Sequence, residues 1–352
     1  MELNDYLKMV KNADNNAIEN AKYRWTKVAK PLNSLGLLEK SVIKIAGIQG
    51  SSKIDISKKA VVIMCGDNGV IEEGVTQSPN EVTAIVTENF AKGETSVCKM
   101  AEVVKADIFP YDLGVAKDLT EKGVINKKIA YGTNNMTKTA AMTREQAEKA
   151  VVIGIEAVKD LKEKGYNLIA TGEMGIGNTT TSSAIASVLL NMQVEDVTGR
   201  GAGLTSDGLV RKIDAIKRAI ELNKPKANDG IDVLSKIGGY DIAGMTGAFI
   251  GGSIYRIPII VDGIISSVAA LVASVIEPKV TDFMIASHIS KEPAGKAIME
   301  KLNLTPFMDC GMCLGEGTGA VAIMPILDMA AKVYCEMSTF EDIKVEQYQP
   351  LK

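Results

Sequence analysis

The sequence has few of the residues that cross-link a small fold or hold a metal. It contains five cysteines and one histidine among 352 residues. A structural zinc site needs about four thiolate, imidazole or carboxylate ligands, so we expect no metal and no other cofactor. Five cysteines with one close pair fit free thiols in a reducing compartment better than a disulfide framework. The composition therefore disfavours a small disulfide-linked module.

Excess positive charge and long apolar runs are also missing. The net charge is −3, which offers no basic surface for nucleic acid or anionic membranes. The longest apolar stretch, Ile257 to Val275, is interrupted by Pro258 and Asp262, so it predicts a buried strand leading into a helix rather than a membrane span. The segment Met1–Asp5 does not resemble the start of a secretory signal. We expect a cytoplasmic protein whose partners are small molecules.

Apolar runs alternate with amphipathic stretches from residue 59 onward. Short runs such as Asn167–Ala170 and Ile259–Val261 end in turns rich in Gly, Asp or Thr. This alternation predicts strands joined by helices, and hence a parallel sheet. Because ligands of such sheets bind beyond the carboxyl ends of the strands, we expect the active site there. Residues 1–45 show only helical patterns.

The strongest motif runs from Thr171 to Ser183, between a predicted strand and a predicted helix. Glycines allow close backbone approach, and hydroxyls with helix N-terminal amides suit a phosphate. The alternative is an ordinary strand-to-helix turn. The spacing fits neither a dinucleotide fingerprint nor a Walker loop. The candidates for phosphate or ribose contact are Gly175, Gly177, Asn178, Thr179 and Thr180.

A second anion-binding candidate is the loop from Thr198 to Leu204, which precedes a basic helix. Glycines and cations together can cradle an anion. A solvated basic helix face after a flexible loop is the alternative. Its candidate residues are Arg200, Gly201, Gly203 and Lys212.

The loop from Asp309 to Ala320 encloses one carboxylate, Glu316, among glycines and apolar residues. Poor solvation there would raise its pKa toward that of a useful general base. The alternative is a glutamate that caps the helix predicted near Thr318. The pair Cys310 and Cys313 permits a metal or redox interpretation, which the shortage of further ligands disfavours.

Three aspartates each lie just past a predicted strand or at its end: Asp67, Asp112 and Asp262. Such residues can bind ribose hydroxyls or orient a base, although capping of the next helix is the commoner role. His288, the only histidine, lacks a nucleophile-elbow sequence to complete a triad. We interpret it as a buried structural residue.

These segments together resemble the nicotinate-nucleotide:dimethylbenzimidazole phosphoribosyltransferase family. The resemblance rests on segments in order along the chain: Gly66-Asp67, Glu73–Val75, Glu81–Thr83, Gly172–Thr180, Gly199–Gly203, Asp241–Ala243, Val261–Gly263, Ser287-His288, Glu292-Pro293 and Leu314–Ala320. It implies transfer of the 5-phosphoribosyl group of nicotinate mononucleotide to a lower-ligand base, with release of nicotinate, in cobamide nucleotide-loop assembly. The product expected is the α-riboside 5′-phosphate.

The resemblance also implies an architecture. The fold class is α/β, with a mostly parallel Rossmann-like sheet flanked by helices in residues 46–327. Residues 1–45 and 328–352 would form a small helical domain. A homodimer is expected, and a heterodimer with a paralogous subunit is the alternative.

The resemblance implies roles for individual residues. Glu316 matches the catalytic base and Glu173 a second active-site carboxylate, while Lys212 and the glycine loops match phosphate-binding positions. The remaining matches are Asp262, Gly263 and Ser290 for nicotinate, and Pro79, Ile85, Met174 and Leu314 for the acceptor base.

Three positions depart from the pattern expected of the family. Asn68 replaces a usual histidine, while Asn80 and Ile85 replace glutamines. Because Ile85 offers no hydrogen bond, we expect a more apolar acceptor pocket that admits a phenol or another benzimidazole. Two alternatives stay open: a phenol-activating member that works as half of a heterodimer, and a non-catalytic nucleotide-binding subunit. An oxidoreductase would require the missing dinucleotide fingerprint.

Overall fold

Six parallel strands form one sheet at the centre of the described part of the chain. The computed structural model describes residues 1–201 and 203–349. The strands are β1 (Lys59–Gly66), β2 (Ala106–Gly114), β3 (Ile125–Asn126), β4 (Leu168–Met174), β5 (Ile259–Val261) and β6 (Met284–Ala286). Their order is β3-β2-β1-β4-β5-β6, and every pair is parallel. This confirms the predicted α/β fold.

Helices connect the strands and cover both faces of the sheet. Short 3₁₀ helices span Gly69–Glu73 and Pro278–Phe283. The α-helices are α1 (Leu3–Leu7), α2 (Asn15–Lys27), α3 (Leu37–Gln49), α4 (Glu81–Lys92), α5 (Ser96–Val104), α6 (Arg144–Glu163), α7 (Asn178–Leu190), α8 (Val194–Val197), α9 (Ser206–Asn223), α10 (Gly230–Ile237), α11 (Tyr240–Tyr255), α12 (Ile264–Ile276), α13 (Gly295–Lys301), α14 (Thr318–Ala322) and α15 (Met324–Glu336).

The apolar run of β1 explains why this strand lies in the middle of the sheet. All eight of its residues are buried, as expected where helices cover both faces. Successive side chains point to opposite faces, so Val62 and Met64 join one core cluster with α6 and α11. Val61 and Ile63 join the other cluster, with α4, α5 and α15. The two cores therefore sandwich the sheet.

The strand order changes direction between β1 and β4, which pair in register from Lys59 with Leu168. A parallel sheet opens a crevice at the carboxyl ends of the strands on either side of such a switch point. Strand β4 extends to Met174, so Glu173 lies on the strand and not in the following loop. This crevice is the location predicted for the active site from the sequence.

The C-terminal helix packs against helices from the N-terminal segment. Ala330 and Tyr334 of α15 join a core cluster with Trp25 of α2 and Val42 of α3. The guanidinium of Arg24 donates to the Tyr334 carbonyl oxygen at 2.8 Å. Packing of the two chain ends is therefore as expected, while the division into two domains stays a prediction. Residues 350–352 lie outside the described residues.

The apolar stretch 257–275 forms β5 and the buried helix α12, which confirms its interpretation as a strand and a helix. Within residues 1–201 and 203–349, one helical stretch, Thr318–Glu336, has the length and apolarity to cross a membrane. Half of this stretch is buried inside the protein. Core helices of globular proteins commonly have the same length and apolarity.

Candidate active site

A cavity of about 250 Å³ opens at the carboxyl ends of the central strands. The structure brings most of the sequence-predicted site residues to its wall. They are Glu173, Met174, Gly175, Gly177, Asn178, Thr179, Arg200, Gly201, Asp262, Gly263, Ser290, Leu314 and Glu316. The cavity thus brings together the end of β4, the turn after β5 and the three loops that were separate candidates in the sequence.

Glu316 is held on the cavity wall by an unusual backbone and by a helix terminus. It has a left-handed φ of 62° between Gly315 and Gly317, which have φ values of 92° and 96°. Its Oε2 accepts the Val97 backbone N–H at 3.1 Å, at the start of α5. Burial raises the pKa of this carboxyl, while the backbone N–H groups of α5 oppose the shift. A fixed carboxylate with a raised pKa suits a general base.

Close contact with β4 explains one glycine of the motif. A side chain at Gly172 would place its Cβ 2.2 Å from the carbonyl oxygen of Glu316. Real Cβ atoms do not approach oxygen so closely, so only glycine lets the Glu316 loop lie on the strand. Gly172, which precedes Glu173, therefore allows the loop that carries Glu316 to take its position.

Asp262 ties the Glu316 loop to the end of β5. Its two carboxylate oxygens accept the backbone N–H groups of Gly317 at 3.1 Å and Ala320 at 2.9 Å. It therefore caps α14 and not the helix that follows it in sequence. Burial raises its pKa, and the neighbouring His288 opposes that shift. Asp262 faces the cavity, but its oxygens already have backbone partners.

Glu173 belongs to a second, buried polar group. The Asn178 Nδ2 donates to Glu173 Oε2 and, at 3.0 Å, to Oδ2 of Asp241. Burial raises the pKa of Glu173 to about 8, and the charge of Asp241 contributes to the rise. Burial likewise raises the pKa of Asp241 to about 7. The native protein therefore binds protons here that the unfolded chain releases.

Replacing Glu173 by glutamine should make the protein more stable at neutral and alkaline pH. The pKa is raised on folding from 4.5 to about 8, so the native state holds more protons than the unfolded chain in that range and stability falls as pH rises through it. Glutamine does not titrate and removes one charge from the pair with Asp241, whichever carboxyl carries the proton. We expect Glu173→Gln to gain on the order of 1 to 3 kcal/mol at pH 8, measured as the free energy of unfolding in urea at pH 5 and pH 8.

Glu277→Gln provides the matched control, because Glu277 is a partly exposed helix-capping residue that does not line the cavity. Its unfolding free energy should follow that of the wild type at both pH values. The assignment of a buried carboxyl pair that retains a proton would be contradicted by two results together. The wild type would become more stable from pH 5 to pH 8, and its free energy of unfolding would change with pH as much as that of Glu173→Gln.

The predicted phosphate-binding residues converge at the start of α7. The Nζ of Lys212, on α9, donates to Thr179 Oγ1 at 2.9 Å and to the Gly199 carbonyl oxygen at 3.1 Å. The Cβ position of Gly201 lies 3.5 Å from the same Nζ. Burial lowers the pKa of Lys212 to about 8. Lys212 is fully buried behind the wall rather than exposed on it.

Three other candidates for phosphate binding are less well placed to contact a ligand in the cavity. Arg200 lines the cavity, but its guanidinium donates to the Leu204 carbonyl oxygen at 2.8 Å. Thr180 and Gly203 are absent from the cavity wall. The Thr180 hydroxyl is buried with no partner among the described residues. Ala202, inside the second loop, lies outside the described residues.

The acceptor side of the cavity differs from the sequence expectation in two residues. Met174 and Leu314 line the cavity, whereas Pro79 and Ile85 do not. Ile85 is 55% exposed, and its neighbour on α4, Val86, lines the cavity instead. In the structure as it stands, any effect of Ile85 on acceptor choice is therefore indirect.

The nicotinate candidates on the cavity wall follow β5 and β6. Gly263 and Ser290 line the cavity together with His288. The Nδ1 of His288 lies 2.9 Å from Ser287 Oγ, and the ring is buried. Burial and this contact agree with a structural histidine. Because His288 also lines the cavity, it is a further candidate site residue. The free thiols of Cys310 and Cys313 are exposed, and Cys313 lines the cavity.

Sequence reasoning assigned no role to Asp241, which proves central to the buried polar group. Asp241 was part of the family resemblance, following Gly238-Gly239 at the start of an apolar helix. The signal in the sequence is a lone carboxylate in the first turn of an otherwise apolar helix. Among the described residues, no three His, Cys, Asp or Glu side chains are grouped to hold a metal ion.

Comparisons with known proteins identify the class of enzyme to which the chain belongs. Residues 10–345 match the family described as phosphoribosyltransferase. The chain is similar over its whole length to nicotinate-nucleotide–dimethylbenzimidazole phosphoribosyltransferases of Clostridium acetobutylicum, at 51% identity over 352 residues, and Ruminiclostridium cellulolyticum, at 49%; each alignment covers 100% of both chains. The crystal structure of CobT from Thermus thermophilus superimposes with a TM-score of 0.90 at 34% identity, covering 95% of this chain and 100% of that one.

The chain is therefore a phosphoribosyltransferase. It belongs to the nicotinate-nucleotide–dimethylbenzimidazole phosphoribosyltransferase family. The family resemblance stated from the sequence motifs is confirmed. Enzymatic function is confirmed with it, while the roles of individual site residues stay predictions.

Proposed function

We propose that this enzyme transfers the 5-phosphoribosyl group of nicotinate mononucleotide to 5,6-dimethylbenzimidazole, in cobamide nucleotide-loop assembly. The products are nicotinate and the α-riboside 5′-phosphate of the base. The observation that carries the proposal is the shared cavity of Glu316, Glu173 and the loop at Thr179. The proposal is supported by the carboxylate of Glu316, whose pKa is raised, and by Thr179, whose hydroxyl accepts from the buried ammonium group of Lys212.

The donor supplies its own leaving group, so the proposal includes no metal. The ring nitrogen of nicotinate mononucleotide is quaternary, and the electron pair of the breaking C1′–N bond returns to the pyridine ring. Departure then needs no protonation. The enzyme has to fix the two reactants, which supplies on the order of 7 to 11 kcal/mol at best, and to stabilise a cationic ribosyl centre.

The acceptor attacks from the face opposite nicotinate, which converts a β-riboside into an α-riboside. The lone-pair nitrogen of the imidazole ring forms the new bond to C1′. The N–H proton of that ring then passes to Glu316, whose raised pKa fits proton acceptance. Such a base contributes roughly 10²- to 10⁴-fold. Glu173 is the second carboxyl on the same cavity wall.

Incubation of the purified chain with nicotinate mononucleotide and one acceptor at a time tests the proposal. The acceptors are dimethylbenzimidazole, p-cresol and adenine, and nicotinate release and product mass are followed. We expect the α-riboside phosphate of dimethylbenzimidazole. A phenolic product in preference would favour the phenol-activating alternative, and tight binding without any nicotinate release would favour a non-catalytic subunit.

A cytoplasmic homodimer is part of the same proposal, and it is supported by the family resemblance. Light scattering on the purified chain at micromolar concentration measures the mass directly. A monomer that becomes active only with a second, paralogous chain would favour the heterodimer.

A further inference from the structure

Glu292 is a carboxylate of the cavity wall that the reaction described above leaves without a role. It lies in the loop between β6 and α13, where it lines the cavity and is partly buried. With Pro293 it forms one of the segments on which the family resemblance rests. Its position on the wall makes it a candidate for contact with the donor.

The loop that follows Thr198 lies directly against this side chain. A Cβ at Gly199 would overlap Oε2 of Glu292 and lie 2.8 Å from Cδ of Pro293, so only glycine allows the contact. The carbonyl oxygen of the same glycine accepts a hydrogen bond from the Lys212 ammonium at 3.1 Å. Burial lowers the pKa of Lys212 to about 8, and the charge of Glu292 opposes that shift. The carboxylate therefore lies beside the predicted phosphate position.

On its other side Glu292 adjoins a residue predicted to contact nicotinate. Its backbone N–H donates to Ser290 Oγ at 3.4 Å, and Ser290 lines the cavity. Neighbouring positions on the wall are thus Ser290, Glu292 and the Gly199 loop, in that order. Nicotinate mononucleotide has its parts in the same order: the pyridine ring, the ribose and the phosphate. A donor bound with its ring at Ser290 and its phosphate at the Gly199 loop would bring its ribose to Glu292.

The Glu292 carboxylate has no hydrogen bond to the part of the chain that the structure describes. Neither of its oxygens accepts from a described N–H or O–H group, and no described Lys or Arg forms an ion pair with it. The other carboxylates of the wall, on Glu173, Asp262 and Glu316, each accept at least one hydrogen bond from the protein. A carboxylate can accept from a hydroxyl on each oxygen, and dinucleotide-binding folds use an acidic side chain in this way for ribose. The 2′- and 3′-hydroxyls of ribose lie on the same face of the sugar, so one carboxylate can accept both.

We propose that Glu292 binds the donor through its ribose: its carboxylate accepts the 2′- and 3′-hydroxyl groups of nicotinate mononucleotide and holds the sugar between the nicotinate and phosphate positions. The inference rests on the proposed function for the identity of the donor. A negative charge beside the phosphate position also disfavours a bare phosphate ion, because like charges repel. Glu292 therefore selects a phosphate that carries a ribose diol.

Titration calorimetry with nicotinate mononucleotide and with its 2′-deoxy and 3′-deoxy analogues tests the contact. We expect the wild type to bind each analogue roughly 10- to 100-fold more weakly, as is typical of a lost hydrogen bond to a charged group. In Glu292→Ala, nicotinate mononucleotide itself should bind at least that much more weakly, and the deoxy analogues should bind nearly as well as it does. Penalties of equal size in the two proteins would overturn the proposal.

Inorganic phosphate distinguishes a lost contact from a damaged site. Glu292→Ala removes a negative charge but no side-chain hydrogen bond to a described residue, so it should bind phosphate as well as the wild type or better. Glu300→Ala changes an exposed glutamate on α13; it is the matched control and should bind every ligand like the wild type. Loss of phosphate binding in Glu292→Ala would overturn the proposal and assign Glu292 to the structure of the anion-binding loop.

The same titrations separate this inference from the proposed function. A wild type that fails to bind nicotinate mononucleotide would overturn the proposed function and the inference with it. A wild type that binds nicotinate mononucleotide and both deoxy analogues with equal affinity would overturn the inference alone.

Discussion

Glu316→Gln should lower kcat by roughly 10²- to 10⁴-fold, the usual contribution of a general base. Glutamine has the same size, and its carbonyl oxygen can still accept the Val97 N–H that holds Glu316 in place. It cannot take a proton from the acceptor. Because the loss concerns the transition state, affinity for nicotinate mononucleotide should be nearly unchanged. Nicotinate release measures kcat, and calorimetry measures the affinity.

The pH dependence separates a base from a merely structural carboxylate. A base works only when ionised, so wild-type kcat should rise with pH through the raised pKa of Glu316, and the residual activity of Glu316→Gln should lack that rise. Glu277→Gln, which alters another helix-capping glutamate, should leave turnover unchanged. Turnover of Glu316→Gln within tenfold of the wild type, with an unchanged pH profile, would rule out the role.

The fold was predictable because its signals are local. Buried parallel strands such as β1 need continuous apolar runs, and the turns that end them carry glycines and polar residues. Parallel strands bring all those turns to one edge of the sheet. For this reason Glu173, Thr179 and Glu316, far apart in sequence, could be assigned to one site before their geometry was known.

Details of the site depend on packing that no local pattern contains. The side of α4 that faces the cavity is set by the rotation of the helix against the sheet, and this rotation selects Val86 over Ile85. The partner of Glu173 is Asp241, on a helix that follows β4 by more than 60 positions in the chain. Asp262 caps α14, a helix distant in sequence. Each contact joins elements whose relative positions only tertiary structure defines.

Packing also decides which of two neighbouring hydrogen-bonding residues lines the cavity. Thr180 has the residue type and the loop position expected of a phosphate ligand, but its side chain points into the protein from the first turn of α7. Thr179, one position earlier, lines the cavity. A turn of about 100° per residue separates adjacent side chains on a helix, and the sequence does not fix which of them faces outward.

Lys212→Met should weaken binding of nicotinate mononucleotide by roughly 30- to 1,000-fold, or about 2 to 4 kcal/mol, as expected when one partner of a buried charge pair is removed. The ammonium group sits behind Thr179 and beside the Gly201 loop. A phosphate bound to these residues would therefore lie near the positive charge of Lys212. Methionine fills a similar volume without a charge, so the fold should tolerate the change. Titration calorimetry with nicotinate mononucleotide gives the affinity.

The pH dependence of binding identifies the charge as the cause. Lys212 has a pKa near 8 in the free enzyme, so wild-type affinity should decline as pH rises above 8 and the ammonium is lost, whereas Lys212→Met should bind equally weakly below and above that pH. The control is Lys217→Met on the same helix, where the lysine is exposed and paired with Glu195; it should bind like the wild type, since exposed pairs contribute about 0 to 1 kcal/mol. Unchanged affinity in Lys212→Met would place the phosphate elsewhere on the cavity wall, which Arg200 also lines.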